Sequence, residues 1–336
     1  NGGTNCLLVG CTVRKLGGDG VMVNGGARHG LLGCDLYHLG RGGARVNGGD
    51  RRTLRPGGHF IENCHIYDFS RVDRTYTPAV WMDGVSNRIA HNSIHHSPGH
   101  ALRLEGNDHL IEFNDIHDVV LETDDQGGLD MHYNPTYRGN VIRYNAWRDI
   151  GSGDVPCGQA GVRLDDAICE VLIYGNVFHR CSHVLFGGVQ IHGGKENIVD
   201  NNLFVDCDYA VSFSPWGTNR WKSFLAEASR SGRLITNELY YARYPSLARL
   251  GENADVNSIW RNLVVDCGGL LTRDRGIQDL MDNLIVSGDP GFVDAAQQNF
   301  ALKPTARVLA QFGFRPIPFE HIGLYASEHR ASAPSR

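Results

Sequence analysis

The sequence predicts an all-β fold, a right-handed parallel β-helix: a single-stranded solenoid of about ten coils with an irregular insertion and a C-terminal cap. Three observations predict it. A short unit recurs at variable spacing, each unit alternates apolar and polar residues with period two, and one polar or thiol position returns at the same place in every unit. A variable period with a constant register means one coil per unit with loops of differing length, and a period of two means strands. A leucine-rich repeat would space its leucines more strictly.

The unit reads apolar, any, apolar, two spacers, Asn or Cys, then a mostly apolar stretch, as in GLLGCDLYHL, HFIENCHIYDF, LIEFNDIHDV and NIVDNNLFVDC. Its polar position is Cys11, Cys34, Cys64, Asn92, Asn114, Asn145, Asn176, Asn202, Asn262 and Asn283, with Asn237 expected between the last Asn202 and Asn262 units. Five residues on, Cys181, Cys207 and Cys267 share another position. Stacked Asn side chains can hydrogen-bond along the solenoid axis and satisfy a bend that water cannot reach. The nine cysteines are odd in number and lack knot or zinc spacing, so they read as buried structural thiols.

A second strand in each coil reads GVMVNGG, GARVNGG, AVWMDG, ALRLEG, GLDMHY, GVRLDD, GVQIHGG and AVSFSP. With its apolar pair turned inward, two outward stacks follow. One is Met22, Arg45, Trp81, Arg103, Asp130, Arg163, Gln190 and Ser212; the other is Asn24, Asn47, Asp83, Glu105, His132, Asp165, His192 and Ser214. Stacked strands lie about 4.8 Å apart, so these groups titrate together. A contiguous block of Asp, Glu, His and Arg on one face is costly unless it binds or catalyses, and this face is the expected cleft.

The composition narrows the class. There are 42 Gly, 12 Pro and 21% charged residues, neither a collagen nor a disordered profile. A net charge of −5 with four lysines makes nucleic acid an unexpected partner. No apolar run of about 18 residues exists, so no membrane helix is expected. The chain starts Asn-Gly-Gly inside a coil, which reads as a mature or trimmed chain without its targeting segment. The expected organisation is one β-helix domain over 1–326, with a loop or helical insertion at 217–250, helical near 223–229 and overhanging one end of the cleft. A cap at 289–326 is expected to cover the exposed strand edge, with a short helix after Lys303-Pro304, and residues 327–336 form a flexible tail.

Two acidic segments carry the chemistry: Glu122-Thr123-Asp124-Asp125, entering the strand of Asp130 and His132, and Arg163-Leu164-Asp165-Asp166 in the next coil. Paired carboxylates on one groove suit glycoside hydrolysis, one as acid and one as nucleophile or base. Acidic turn residues also cap turns, and oxygen-rich loops also suit Ca²⁺. A zinc site from His132, His192 and Asp165 fits in ligand type but spans three rungs. Asp130 and Asp165 are expected about 8 Å apart at Cα. Trp81 is expected to stack on a sugar beside Arg103, and Trp147 and Trp260 to be core residues. His95, His96, His117 and His179 fall at turns or outside faces.

The run TDDQGGLDMHYNPTYRGNVIRYNAWRDIG, then GVRLDD, YGNVFHRC, GGVQIHGGKENIVDNNLFVDC, DPGFVD and FGFRPIPFEHIGL, resembles bacterial β-helix carbohydrate enzymes, in particular glycoside hydrolase family 141, over roughly 60–326. That family includes α-L-fucosidase and xylanase activities. Its members tend to carry an acidic residue before a Gly-Ala or Gly-Gly strand and a Leu-Asp-Asp in the following coil. The resemblance implies that Asp125 (or Asp124) and Asp165 (or Asp166) take the carboxylate roles. Asp130, His132, Arg163, Gln190, His192, Glu105, Arg103 and Trp81 are then expected to bind a polysaccharide or oligosaccharide substrate. The sequence departs from the family in Gly-Gly-Leu-Asp-Met-His, where an aromatic often follows. No cofactor is implied beyond a possible Ca²⁺, and the expected location is secreted or periplasmic. The competing functions are a polysaccharide lyase, for which Arg103, Arg163 and His132 supply neutralisation and a base, and a non-catalytic carbohydrate-binding solenoid.

Overall fold

The computed structural model describes residues 1–252 and 254–332. Every coil but the last contributes a strand to each of three parallel sheets. In chain order, the first sheet runs over ten strands from Leu7–Val9 to Asp279–Met281, and the second over ten from Thr12–Leu16 to Leu284–Val286. The third has eleven: nine parallel strands running from Val21–Asn24 to Leu271–Thr272, and two short antiparallel additions, Arg55–Pro56 and Ser182–Val184. Neighbouring coils pair in strict register, for example Ile111 with Ile142 and Ile142 with Ile173. The inward residues therefore stack on their own kind. Trp147, Phe178 and Phe204 lie ring on ring, with centroids 6.3 and 4.8 Å apart. Burying each such side chain contributes roughly 1.5–3 kcal/mol. Trp260, expected in the core, is instead half-buried on the outside, because its register partner is the outward Met281; its indole N–H donates to Asp279.

The expected Asn ladder joins the first and second sheets. The backbone N–H of Cys64, Asn92, Asn114, Asn145, Asn176, Asn202 and Asn262 each donates to the Asn side-chain oxygen one coil on, at 2.8–3.0 Å. Each Asn side-chain amide from Asn92 to Asn262 donates to that same oxygen and to a carbonyl one coil back. Asn237 is not part of the ladder: it caps the short helix Glu238–Arg243 within the insertion. All nine cysteines are free thiols, and Cys207 and Cys267 stack as expected, the Cys207 N–H meeting the Cys267 sulfur at 3.3 Å.

A second ladder, unforeseen from the sequence, lines the turn from the third sheet to the first. Here His29, His59, Asn87, His109 and Asn140 relay N–H donors to a ring Nδ1 or an Asn oxygen at 2.9–3.1 Å. At the end of the third-sheet strands Gly84 and Gly106 have φ of +108° and +110°. A Cβ on either would stand 1.9 or 2.1 Å from the carbonyl oxygen of the coil before, so only glycine fits.

The insertion and cap differ in place from expectation. The insertion enters between the third and first sheets. It holds helix Gly217–Arg230, helix Glu238–Arg243 and the 3₁₀ turn Pro245–Arg249. Trp221, Tyr240, Tyr244 and Leu247 bury themselves against Ala167 and Cys169, so the insertion lies along the side of the third sheet and not over its end. The cap covers the flank of the second sheet instead of the terminal edge. Phe292, Phe300, Val308 and Phe314 pack on the outward Val177, Leu203, Val205, Leu263 and Val265, while the last-coil residues Leu280 and Ile285 stay 48% and 57% exposed. The short helix after Lys303-Pro304 is the 3₁₀ turn Arg307–Ala310. The chain then runs back toward the first coils, each contact filling a turn: Arg315 on Asn201, Tyr325 on Asn63, and Arg330 on Asp35. The start of the expected loose tail is thus docked, with Ser327 bridged to Arg330, and 333–336 lie outside the described residues. Among the described residues no helix is long and apolar enough to cross a membrane.

Candidate active site

Strict register turns the two outward stacks of the third sheet into real neighbours. Trp81 pairs with Arg103, Arg103 with Asp130, Asp130 with Arg163, His132 with Asp165, and Arg163 with Gln190. The two stacks nevertheless have different surroundings. The stack through Arg103, Asp130, Arg163, Gln190 and Ser212 is only 7, 4, 9, 1 and 0% exposed. Connecting segments roof it: the return strand Ser182–Val184 brings Phe186 to 5.7 Å from the Arg163 guanidinium, and Arg273, just after the strand Leu271–Thr272, donates to Gln190 at 3.0 Å. The other stack, through Asp83, Glu105, His132, Asp165 and His192, is half-buried and lies between that roof and the insertion. The open groove runs over this second stack, with Arg103 of the first reaching its wall.

Arg163 organises the acidic residues. Its Nη2 donates to Asp125 at 2.8 Å and approaches Asp165 at 3.0 Å, while Nη1 lies 3.7 Å from Asp130. The structure thus gathers Asp125, Asp130 and Asp165 around one guanidinium. Asp124 is spent elsewhere. Its carboxylate accepts the backbone N–H of Cys157 and Gly158, holding the turn of the next coil, which is the turn-capping role that acidic loop residues commonly have. Asp166 leaves the strand and faces the groove, with its Oδ1 3.3 Å from His192 Nδ1 and 3.9 Å from Arg220 on the insertion helix.

The environment separates these carboxyls. Burial works against the charged form of Asp165, but the hydrogen bond with His192 at 2.7 Å and the charge of Arg163 outweigh it and hold the carboxyl below its usual range. Burial raises Asp166, and the Asp165 charge raises it further. Burial pushes Asp130 up to about 7 against the pull of Arg163 and Arg103, and its Oδ1 has no hydrogen-bond partner. Burial, then the Arg103 charge, lowers His132 to about 4, so its Nε2 accepts from Arg103 at 2.8 Å. Asp83 is raised by burial and by Glu105.

Asp165, Asp166 and His192 bring one ligand atom each within 4.8 Å of one another, the only such donor set among the described residues. His132 does not join this set, because it is turned to Arg103. Arg163 and Arg220 already place positive charge beside this set.

Two further expectations change. Trp81 offers no open face, since Arg45 lies 4.2 Å and Arg103 5.7 Å from its ring centre. Gln190 is tied to Ser212, Ser214 and Arg273 beneath the roof. The exposed ring in the groove is Tyr133, 41% exposed, which sequence reading passed over although it directly follows His132. Trp216 and Arg220 were also missed. Trp216 lies edge-on 5.5 Å from His192, with the Arg220 guanidinium 4.1 Å from its ring. Tyr133 stands where two cavities meet. One of 260 Å³ is lined by Asp166, Trp216 and Arg220, and one of 940 Å³ by Arg103, Glu105 and His132 together with Arg51, Arg52 and the insertion segment around Arg233.

A family model described as a right-handed beta helix region matches residues 78–224, from the strand of Trp81 into the insertion helix. A search of the curated proteins finds no match to the chain. Three in-register parallel sheets wound by one chain, together with that match, identify the protein as a right-handed parallel β-helix.

Proposed function

We propose that the protein is a glycoside hydrolase acting on a plant or algal polysaccharide or its side chains, fucosidase- or xylanase-like, with Asp165 and Asp166 as its carboxylate pair. One observation carries the reading: two adjacent carboxyls in the open groove are driven in opposite directions, Asp165 toward the ionised form and Asp166 toward the protonated one. Groups pushed apart in this way divide the work of base and acid. Asp165, kept charged by His192 and Arg163, is the nucleophile or base. Asp166, beside Trp216 and Arg220 at the mouth of the smaller cavity, is the proton donor to the leaving oxygen. Asp125 acts from behind by holding Arg163. Asp124, fixed in its turn, has no part in the chemistry.

The test is a panel of complex glycans assayed together for new reducing ends and for the absorbance of unsaturated uronates. Reducing ends without the chromophore are expected. The chromophore would show elimination by a lyase and remove the hydrolytic reading. Binding without any product would favour a carbohydrate-binding solenoid. An Asp165→Asn chain that keeps full activity would remove the assignment of Asp165.

A further inference from the structure

The larger cavity lies beside the carboxylate pair, between the open stack and the insertion. Its charge is lopsided. Arg51, Arg52, Arg103 and Arg233 line it against only Asp50 and Glu105. The two acids are already engaged: Glu105 pairs with Arg103 at 3.2 Å, and Asp50 accepts from the Thr53 hydroxyl and the Arg52 backbone N–H, both at 2.9 Å. Arg233 is matched by Glu227 at 2.8 Å. Two guanidinium groups are left without a carboxylate.

Arg51 is half-buried, yet all its acceptors are neutral. It donates to the Asn107 amide oxygen at 3.0 Å and the Thr136 hydroxyl at 3.1 Å, and lies over the Tyr137 ring at 4.4 Å. Those contacts fix its position without cancelling its charge. Arg52 is exposed, and its guanidinium has no partner among the described residues. The charge of Arg51 is felt by Asp83, but no carboxylate among the described residues is in direct contact with it, and a planar guanidinium fork matches an oxyanion in two hydrogen bonds at once.

We infer that this cavity is a subsite for an anionic sugar, a ring bearing a carboxylate or a sulfate ester, held by Arg51 and Arg52 in the part of the groove that Tyr133 joins to the aspartate pair. The inference rests on the reading of the groove as a carbohydrate site and names the substrate class it takes: acidic polysaccharide. The insertion supplies one wall, and Asn237 pins it there by donating to the Arg52 carbonyl at 3.1 Å.

Equilibrium binding by calorimetry tests it without turnover, using the whole chain with Asp165→Asn or, separately, Asp166→Asn. Three probes of equal length are compared: an oligogalacturonate, a sulfated oligosaccharide and a neutral xylo-oligosaccharide. At least one anionic probe is expected to bind tenfold or more tighter than the neutral one, with the advantage shrinking as salt rises. Which anionic probe wins identifies the charged group. Arg52→Gln, at an exposed position whose side chain supports no contact, is expected to remove about threefold or more of that advantage, and Arg51→Gln more. Equal binding of the neutral probe, or an anionic advantage untouched by Arg52→Gln and Arg51→Gln, overturns the inference. The two proposals fail separately. Cleavage without anionic preference leaves the hydrolase and removes the subsite, while arginine-dependent anionic binding without cleavage does the reverse.

Discussion

The Asn ladder between the first two sheets and the open stack of the third sheet share one geometry, a polar side chain repeated in register on every coil. They differ in how their polar groups are met. Along the ladder each Asn oxygen from Asn114 to Asn283 takes two donors from the coil before, and each amide from Asn92 to Asn262 finds acceptors. The open stack sets Asp83 near Glu105, His132 near Arg103, and Asp165 beside Asp166. Each of these arrangements shifts a proton affinity, and behind the stack Asp130 keeps an unpaired oxygen. The same stacking thus stabilises where the partners are neutral and complementary, and stores reactivity where they are charged and mismatched.

The sharpest way to break that comparison is to change one residue in each stack. Asp165→Asn in the groove is nearly isosteric and removes the charge, exchanging one acceptor oxygen for an amide donor. We expect activity to fall by about 10³-fold or more, roughly 4 kcal/mol of barrier, with thermal unfolding almost unmoved. Steady-state rates and a melting curve on one preparation check it. A parallel loss of stability would mean that Asp165 is structural.

Asn145→Leu is the reverse experiment. It strips two acceptor bonds from Asn114 and the donor bonds to Ile111, Arg143 and Asn176, leaving buried groups unmet. The expected cost is about 3 kcal/mol in denaturant unfolding, with the activity per folded molecule retained. Retained stability would show that water or a shifted backbone replaces the ladder bonds.

Asp130 joins the two behaviours, because it is as buried as a ladder residue yet ionisable. Its folded pKa of about 7 lies above its unfolded value near 3.8. Its contribution to stability is therefore full below about pH 4 and is lost as pH rises through 7. His100, His109 and His132, lowered by burial to about 3, 4 and 4, act in the opposite sense, costing stability as pH falls below the ordinary histidine range. The clean measure is thus a difference. Asp130→Asn should gain stability over the parent between pH 5 and 8 by a few kcal/mol at most, since about 1.4 kcal/mol accompanies each pKa unit. A pH-independent difference would mean that Asp130 is ionised throughout.

The contrast also explains what could be read in advance. In a parallel stack with strict register, aligning the coils is the same act as placing them in space, so the neighbours of Asp130 and Asp165 followed from alternation alone. The second ladder was as regular but went unread, because His29, His59 and His109 alternate with Asn87 and Asn140, and an imidazole nitrogen replaces an amide oxygen only in three dimensions. The roof over Arg163 and the wall made by residues 232–237 depend on loops whose lengths vary from coil to coil. No periodicity encodes how such loops fold back.

The smallest expected effect sharpens what makes the ladder strong. Asn283 is its last member, half-buried on a coil whose Leu280 and Ile285 face solvent. Its oxygen accepts from Asn262 twice, at 3.0 and 2.9 Å, as an interior member does, but no further Asn receives its own amide. Water can reach the groups that Asn283→Leu would leave open, so the cost should be about 1 kcal/mol or less, against about 3 for Asn145→Leu. Unfolding midpoints of the two variants, measured side by side, check the ratio. Equal losses would mean that the ladder acts through its count of hydrogen bonds; the predicted inequality means that it acts through their isolation from water, the same isolation that drives Asp165 and Asp166 apart on the other face.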